Sequence, residues 1–333
     1  MINIGKRLTL GTLLLLSFAG CGKKESGNAD ALQKVTLQLD WYAEPAHGGF
    51  YEALLKGFYE EEGLALEIVQ GGSGTVPLQA VTVGSADFAL SRVDDVLMGI
   101  DRGLPLLLTM AYMQKDPQAI MFHASNPIES WEDLNGKAVM VDPGGAFVAW
   151  LKEFHDISFD ILPVDYGIQR FLADPNFIQQ CFVTSQPYYA KQQGVEVGTL
   201  LLSDSGYKPE RVVMTNRSLA TRKPELVAAF VRASIRGWES YMASIPTDTH
   251  AYLIELNSAN NEGLNSYSHN AMTEYRVVEG SPEDGESIGL IEPEKLKSTI
   301  STLHTLNLIE KDIPLERVIN YSILPDQVRT FTR

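Results

Sequence analysis

The chain has 333 residues, of which 27 are basic and 42 acidic, for a formal charge of −15. Nucleic acid and anionic lipid surfaces repel such a body, and no basic patch with interleaved aromatics offsets the charge, so nucleic acid is excluded as a partner. With only two cysteines, Cys21 and Cys181, the chain cannot supply a thiolate zinc or iron–sulfur site.

Lys6 and Arg7 precede an apolar run from Leu8 to Leu16, and Ser17 to Gly20 lead into Cys21. A short positive segment, a brief apolar stretch and small residues before a cut describe a secretory signal over residues 1–20. The run is too short to span a bilayer, which needs about 20 apolar residues. Cys21 after Ala19-Gly20 resembles a bacterial lipobox, in which the thiol is lipidated and becomes the mature N-terminus. The polar stretch after it reads as a tether, so 21–32 is expected to be lipidated cysteine plus flexible linker. Loss of Lys6 and Arg7 leaves 25 basic against 42 acidic side chains, a formal −17. About 300 remaining residues suit two domains of ordinary size. Cys181 then stands alone and reads as a small buried hydrophobe.

Val35 to Leu39 alternates and is β-branched, which predicts a first strand. Phe50 to Glu62 carries an apolar stripe and predicts a helix, stopped by Gly63, with a second strand over 64–69. A Gly-rich turn at 71–75 leads into a helix over about 76–83. A strand over 86–90, a helix over 93–102 and a strand over 106–110 follow. The rhythm repeats with strands at 119–122 and 138–141, a short helix at 128–134 and a helix at about 146–155. Further along come a strand at 181–184, a short helix at 187–192 and a strand at 211–215. From Lys223 onward the pattern is mainly helical, including 224–242 and 293–306. Strands alternating with helices through short Gly-rich turns imply parallel sheet with helical crossovers. Two such α/β blocks, the second inserted in the first by two chain crossings, would hold a ligand cleft between them at the carboxyl ends of the strands.

Three turns place helix starts beside that expected cleft: Gly71 to Thr75, with Ser73 and Gly74; Ser91-Arg92; and Pro143-Gly144-Gly145. Glycine admits close backbone approach, and free N–H groups at helix starts favour acceptor groups, although capping alone accounts for any single turn. Trp41 and Tyr42, just past the first strand, can stack a planar ligand, with Phe147, Tyr188 and Tyr189 as an opposing wall and Trp150 as core. Arg92 offers a hold on an anionic group, and His47 beside Gly48-Gly49 a hydrogen-bonding group. The six histidines lack metal spacing, and no serine sits in a Gly-x-Ser-x-Gly elbow. The expectation is therefore a protein that is not an enzyme and needs neither cofactor nor metal.

Leu39-Asp40-Trp41-Tyr42 with Glu44-Pro45 and His47 to Tyr51, then Lys56 to Leu64, Gly84 to Ala89, Trp131 to Lys137 and Lys223 to Val227 form an ordered series. Together they resemble the family of periplasmic binding proteins for pyrimidine precursors of thiamin, riboflavin, nitrate and alkanesulfonates, over roughly residues 33–240. The resemblance implies an α/β, type II periplasmic binding fold, with one lobe of 33–119 plus 217–333 and another of 120–216. It implies hinge closure on a small heterocyclic or sulfonate-like solute and delivery to an ABC permease in the inner membrane. The protein would be monomeric, periplasmic and held to the membrane by lipid at Cys21. A sensory role for the same cleft is an alternative. Gln186 stands where the family commonly carries Glu, a departure that bears on recognition of an aminopyrimidine. One relative is a thiamin-pyrimidine synthase that uses a Lys, a His, pyridoxal phosphate and a cysteine-rich iron site. The matching stretch here, Ser91 to Asp95, has neither Lys nor His.

Overall fold

A computed structural model describes residues 31–329. The signal, Cys21 and most of the tether therefore lie outside the described residues. The described chain forms two five-stranded sheets. The first takes β1 (Gln33–Gln38), β2 (Leu64–Val69), β3 (Phe88–Arg92) and β4 (Leu106–Met113); the second takes β5 (Gln118–His123), β6 (Ala138–Val141), β7 (Asp160–Pro163), β8 (Ile178–Phe182) and β9 (Val197–Leu201). The chain then returns to the first sheet as β10 (Arg211–Asn216).

The orders are β2-β1-β3-β10-β4 and β7-β6-β8-β5-β9. In the first, β1 runs parallel to β2 and β3, while β10 is antiparallel to both β3 and β4. In the second, β6 runs parallel to β7 and β8, while β5 is antiparallel to β8 and β9. Both sheets are thus mixed, which corrects the expectation of purely parallel sheets. In each, the first strand after a crossing runs against its neighbours. A strand entered by a direct crossing needs no helical return over the sheet, and antiparallel pairing satisfies its backbone groups. For the same reason β10, assigned from sequence to the second block, pairs in the first sheet.

Local chemistry explains most element ends. The helix expected over 50–62 is two pieces, Gly48–Leu55 and Phe58–Glu61, because Gly57 adopts φ +73° between them. Only glycine takes that conformation without a Cβ penalty. The 20-residue helix Pro224–Ala243 lies on Gly48–Leu55 with almost no gap. A Cβ on Gly237 would come 2.3 Å from the Gly49 carbonyl oxygen, and one on Gly49 would come 2.1 Å from the Trp238 ring. Around this contact sits an aromatic core: Trp238 stacks at 5.8 Å on Tyr112 and meets Phe50 edge-on at 5.6 Å, and Phe230 stacks on Phe88 at 3.9 Å. The second sheet uses one face, through Ile120, Val139 and Val141, to join this core; its other face makes a smaller cluster of Met121, Met140, Phe171, Cys181 and neighbours.

The two crossings run side by side, with Asp116 N donating to Pro209 O at 3.1 Å. The segment 277–295 braces them from outside. Gln114 N donates to Val277 O, and the Gln114 amide nitrogen donates to Ser287 O and Leu290 O. Lys295 Nζ reaches both crossings, donating to Gln114 O at 3.0 Å and sitting 3.4 Å from Glu210, while Glu286 pairs with it at 2.8 Å.

Candidate functional site

Between the sheets lies a cleft of about 570 Å³. Its floor begins with Asp40, two residues beyond Gln38 at the end of the first strand. The Asp40 carboxylate pairs with Arg211 and accepts from His47 Nε2 at 3.0 Å. Burial pushes this carboxyl up, but Arg211 and then His47 outweigh it and hold it well below the usual carboxylate range. An ionised carboxylate only accepts, so His47 Nε2 carries a proton, and Nδ1 is an acceptor in the neutral ring and a donor in the protonated one. Arg211 is bound on several sides: Asp40, the Tyr112 hydroxyl at 3.2 Å, Asp116 at 3.5 Å, and the Phe182 ring beneath it at 5.8 Å.

The second guanidinium, Arg92, ends β3. It donates to Asp95 at 3.2 and 3.3 Å and to the Gln118 side-chain oxygen at 3.3 Å, with Asp94 at 3.4 Å. Tyr207 donates to the far side of Asp94 at 2.7 Å. Each cleft cation therefore already holds carboxylates. The loop carrying Asp40 to His47 is itself fixed from outside: Ala43 N donates to the Gln70 side-chain oxygen, and Asn257 and Asn260 both donate to Ala43 O.

Three polar atoms in the cleft wall are buried and have no partner: His47 Nδ1, Gln118 Nε2 and Gln179 Oε1. Buried polar atoms are normally satisfied, and leaving one unpaired costs about 1–3 kcal/mol. Above them Trp41 faces Tyr166 of the second half, ring centroids 5.2 Å apart and planes 35° from parallel, and meets Tyr42 edge-on at 5.4 Å. Tyr166 has φ +60° and is 61% exposed, a non-glycine residue in the left-handed region. Such conformations cost about 1–3 kcal/mol and persist where surrounding structure imposes them. At the rim, Tyr188 donates to Asn261 at 2.9 Å and Tyr189 lies 3.4 Å from Ala259 O, which ties the short helix Gln186–Gln192 to the first half. Among the described residues no group of His, Cys, Asp and Glu is arranged to hold a metal ion, and no helix is long and apolar enough to cross a membrane.

Residues 44–248, more than half of the chain, match the family described as NMT1/THI5 like. The chain belongs to this family. It is 25% identical over 243 residues to the formylaminopyrimidine-binding protein of Halalkalibacterium halodurans, covering 68% of this chain and 72% of that one. It is 26% identical over 260 residues to the riboflavin-binding protein RibY of Chloroflexus aurantiacus, covering 71% and 74%. Among solved structures, the periplasmic aliphatic sulphonate binding protein SsuA of Escherichia coli superposes with a TM-score of 0.63 at 16% identity, covering 86% of this chain and 91% of that one. The fold is therefore the two-lobed α/β fold of periplasmic binding proteins.

In this NMT1/THI5-like protein, eight of the residues singled out from sequence line the cleft: Trp41, Tyr42, His47, Ser73, Gly74, Ser91, Arg92 and Gln186. Four do not. Gly144 and Gly145 form the turn entering helix Ala146–His155, where the Asp142 side chain accepts from Gly144 N at 2.9 Å. Phe147 is 1% exposed in the core, and Tyr188 is turned to the rim. The opposing aromatic is Tyr166, with Tyr189 beside it, and Trp150 packs on Phe154 and Tyr207. Arg92, read as an anion hold, is occupied by Asp94 and Asp95. Asp40, Gln118, Gln179 and Arg211 were missed. Asp40 stands inside the Asp-Trp-Tyr motif and was visible there; the other three lie far apart in sequence and meet only through the sheets. Cys181 is buried, and burial pushes its thiol up, as suits a packing role.

Proposed function

We propose that the protein is the substrate-binding component of an ABC importer, closing its two lobes on a flat, uncharged or amine-bearing heterocycle rather than on a small anion. The observation that carries this is the state of the cleft's polar groups. Both guanidiniums are committed to carboxylates, while the buried unpartnered atoms of the wall are the Gln118 amide donor, the Gln179 amide acceptor and His47 Nδ1, which accepts in the neutral ring. A heterocycle with ring nitrogens and exocyclic donors meets that set; a sulfonate or nitrate, which only accepts, leaves Gln179 Oε1 empty-handed. The Trp41–Tyr166 pair offers two ring faces for stacking. A cleft near 570 Å³ is on the scale of small-molecule pockets and far larger than nitrate. The named pyrimidine- and riboflavin-binding relatives support the same class. A pyridoxal-phosphate enzyme holds its aldehyde on a lysine, and the described cleft wall has none.

The proposed lobes follow the sheets, with the crossings at 114–117 and 202–210 as the hinge. A ligand touching both halves stabilises the closed form by its differential affinity. The same reading places the protein outside the cytoplasm as a monomer, lipidated at Cys21 and presenting the closed form to a permease. Replacing Cys21 by Ser should then release the protein from the membrane fraction; retention would end the anchoring claim. For the ligand class, thermal unfolding is measured against pyrimidines, flavins, alkanesulfonates and nitrate. A ligand at about 100 times its Kd adds roughly 2.7 kcal/mol to the native state. Shifts with heterocycles alone are the expected outcome, and a shift with alkanesulfonates or nitrate alone sinks the reading.

A further inference from the structure

Four carboxylates line the cleft: Asp40, Glu44, Asp95 and Asp142. Three are engaged, Asp40 with Arg211 and His47, Asp95 with Arg92, and Asp142 with the Gly144 amide. Glu44 differs. It precedes the single turn Pro45–His47 with extended backbone, φ −151° and ψ 168°, yet its side chain does not cap that turn. Among the described residues nothing donates to its carboxylate and no cation pairs with it. Burial, followed by the opposing charges of His47, Asp40 and Arg211, leaves the acid raised above the usual range. It lies near enough to the facing lobe that its charge adds to burial in raising the Tyr189 phenol.

A second, separate observation points the same way. His47 is 2% exposed with Nδ1 unpartnered, and Gln179 is 2% exposed with Oε1 unpartnered. Beside the Glu44 carboxylate the cleft wall thus holds one buried acceptor, Gln179 Oε1, and one buried donor, Gln118 Nε2, with His47 Nδ1 accepting when its ring is neutral. Gln186 orients its amide nitrogen as a further donor, because its side-chain oxygen already accepts from Phe182 N at 2.7 Å and Ser185 Oγ at 2.8 Å.

We propose that Glu44 is the specificity-determining residue of this cleft, accepting from an exocyclic amino group or a protonated ring nitrogen of the ligand, so that the cargo is an amine-bearing heterocycle. This rests on the binding-protein reading above and narrows it. Hydrogen bonds to a charged acceptor are the strong ones, and losing one should change affinity by about 10- to 100-fold.

The test measures binding by calorimetry for pairs of probes that differ in an amino against an oxo group: cytosine with uracil, adenine with hypoxanthine, and aminopyrimidine with pyrimidone. Riboflavin, which has no exocyclic amine, is the fourth arm, outside the three pairs. The full chain should prefer the amino member by about tenfold or more; Glu44→Gln should bring the pair close to equal, and Glu44→Asp should keep the preference in weaker form. Melting temperatures of both free variants near that of the parent show that folding is intact. Three results overturn the inference while leaving the binding reading standing: no amino preference in the parent, a preference that survives Glu44→Gln, or binding of riboflavin alone. If no heterocycle binds, both fall together.

Discussion

The two halves of the molecule carry the same sheet pattern but are built to different standards. The first half closes on Trp238, Phe230, Phe88, Phe50 and Tyr112, with two helices touching backbone to backbone at Gly49 and Gly237. The second has a slimmer core on its outer face, around Phe171, Met121 and Met140, and an edge strand, Asp160–Pro163, whose residues are largely exposed. The cleft lining is divided along the same line. Asp40, Glu44, His47, Arg92 and Arg211 are set on or beside elements of the first half, whereas the second contributes Tyr166 on a loop and Gln118 and Gln179 on strands. A densely packed half carrying most of the cleft's charged groups, faced by a lighter half, suits the hinge closure proposed above.

The comparison breaks most visibly at the cores. Trp238→Ala should cost about 3–5 kcal/mol and lower the melting temperature of the whole protein, while Phe171→Ala should fall at the lower end of that range. Amide hydrogen exchange separates them: protection should drop throughout with Trp238→Ala but chiefly across residues 118–201 with Phe171→Ala. Uniform loss in both variants would mean that the halves are one cooperative unit.

Acid should act on the first half. Burial, and then the neighbouring His269, lower His250 from an ordinary value of 6.5 to about 4, and its Nε2 lies 3.1 Å from the Tyr241 hydroxyl. The folded protein keeps this ring neutral while the unfolded chain takes up the proton near 6.5. Its contribution is thus complete above pH 6.5 and is lost as the pH falls from 6.5 towards 4. Melting temperature measured across that window should decline, and His250→Gln should flatten the decline; an unchanged slope would remove His250 from the account.

The smallest effect belongs to the rim. Tyr188→Phe removes one exposed hydrogen bond to Asn261 and should weaken ligand binding by about fivefold or less, some 0.5–1 kcal/mol, with melting of the free protein unchanged. A larger loss in binding would show that the rim, not the hinge, sets how far the closed form is populated.

Much of the fold was legible because it is local. Periodicity and turn residues place the strands 64–69 and 138–141 and the helix 146–155 at their observed bounds. Strand direction was not legible, since alternation along β5 or β10 is the same whichever way the neighbours run. Asp160–Pro163 and Val197–Leu201 were missed as strands: the first is an exposed edge ending in proline, and the second contains Gly198, whose missing side chain makes room for the Phe122 ring. In the cleft lining, Trp41 and His47 were legible because they share a short motif. Arg211 was read only as the start of a strand, because what distinguishes it is the company of Asp40, Asp116 and Tyr112, which chain distance conceals.

The brace around the hinge has a consequence in time as well as in space. Both crossings, at 114–117 and 202–210, are made before residues 277–295 exist in the growing chain, yet Val277 O, Ser287 O, Leu290 O and Lys295 are what fasten them. Each sheet can assemble from what precedes that segment, but the pivot between them is finished only when it arrives. On the proposed hinge reading, a nascent or truncated protein has walls for its cleft before its pivot is fastened, and competence to capture a ligand is among the last properties the chain acquires.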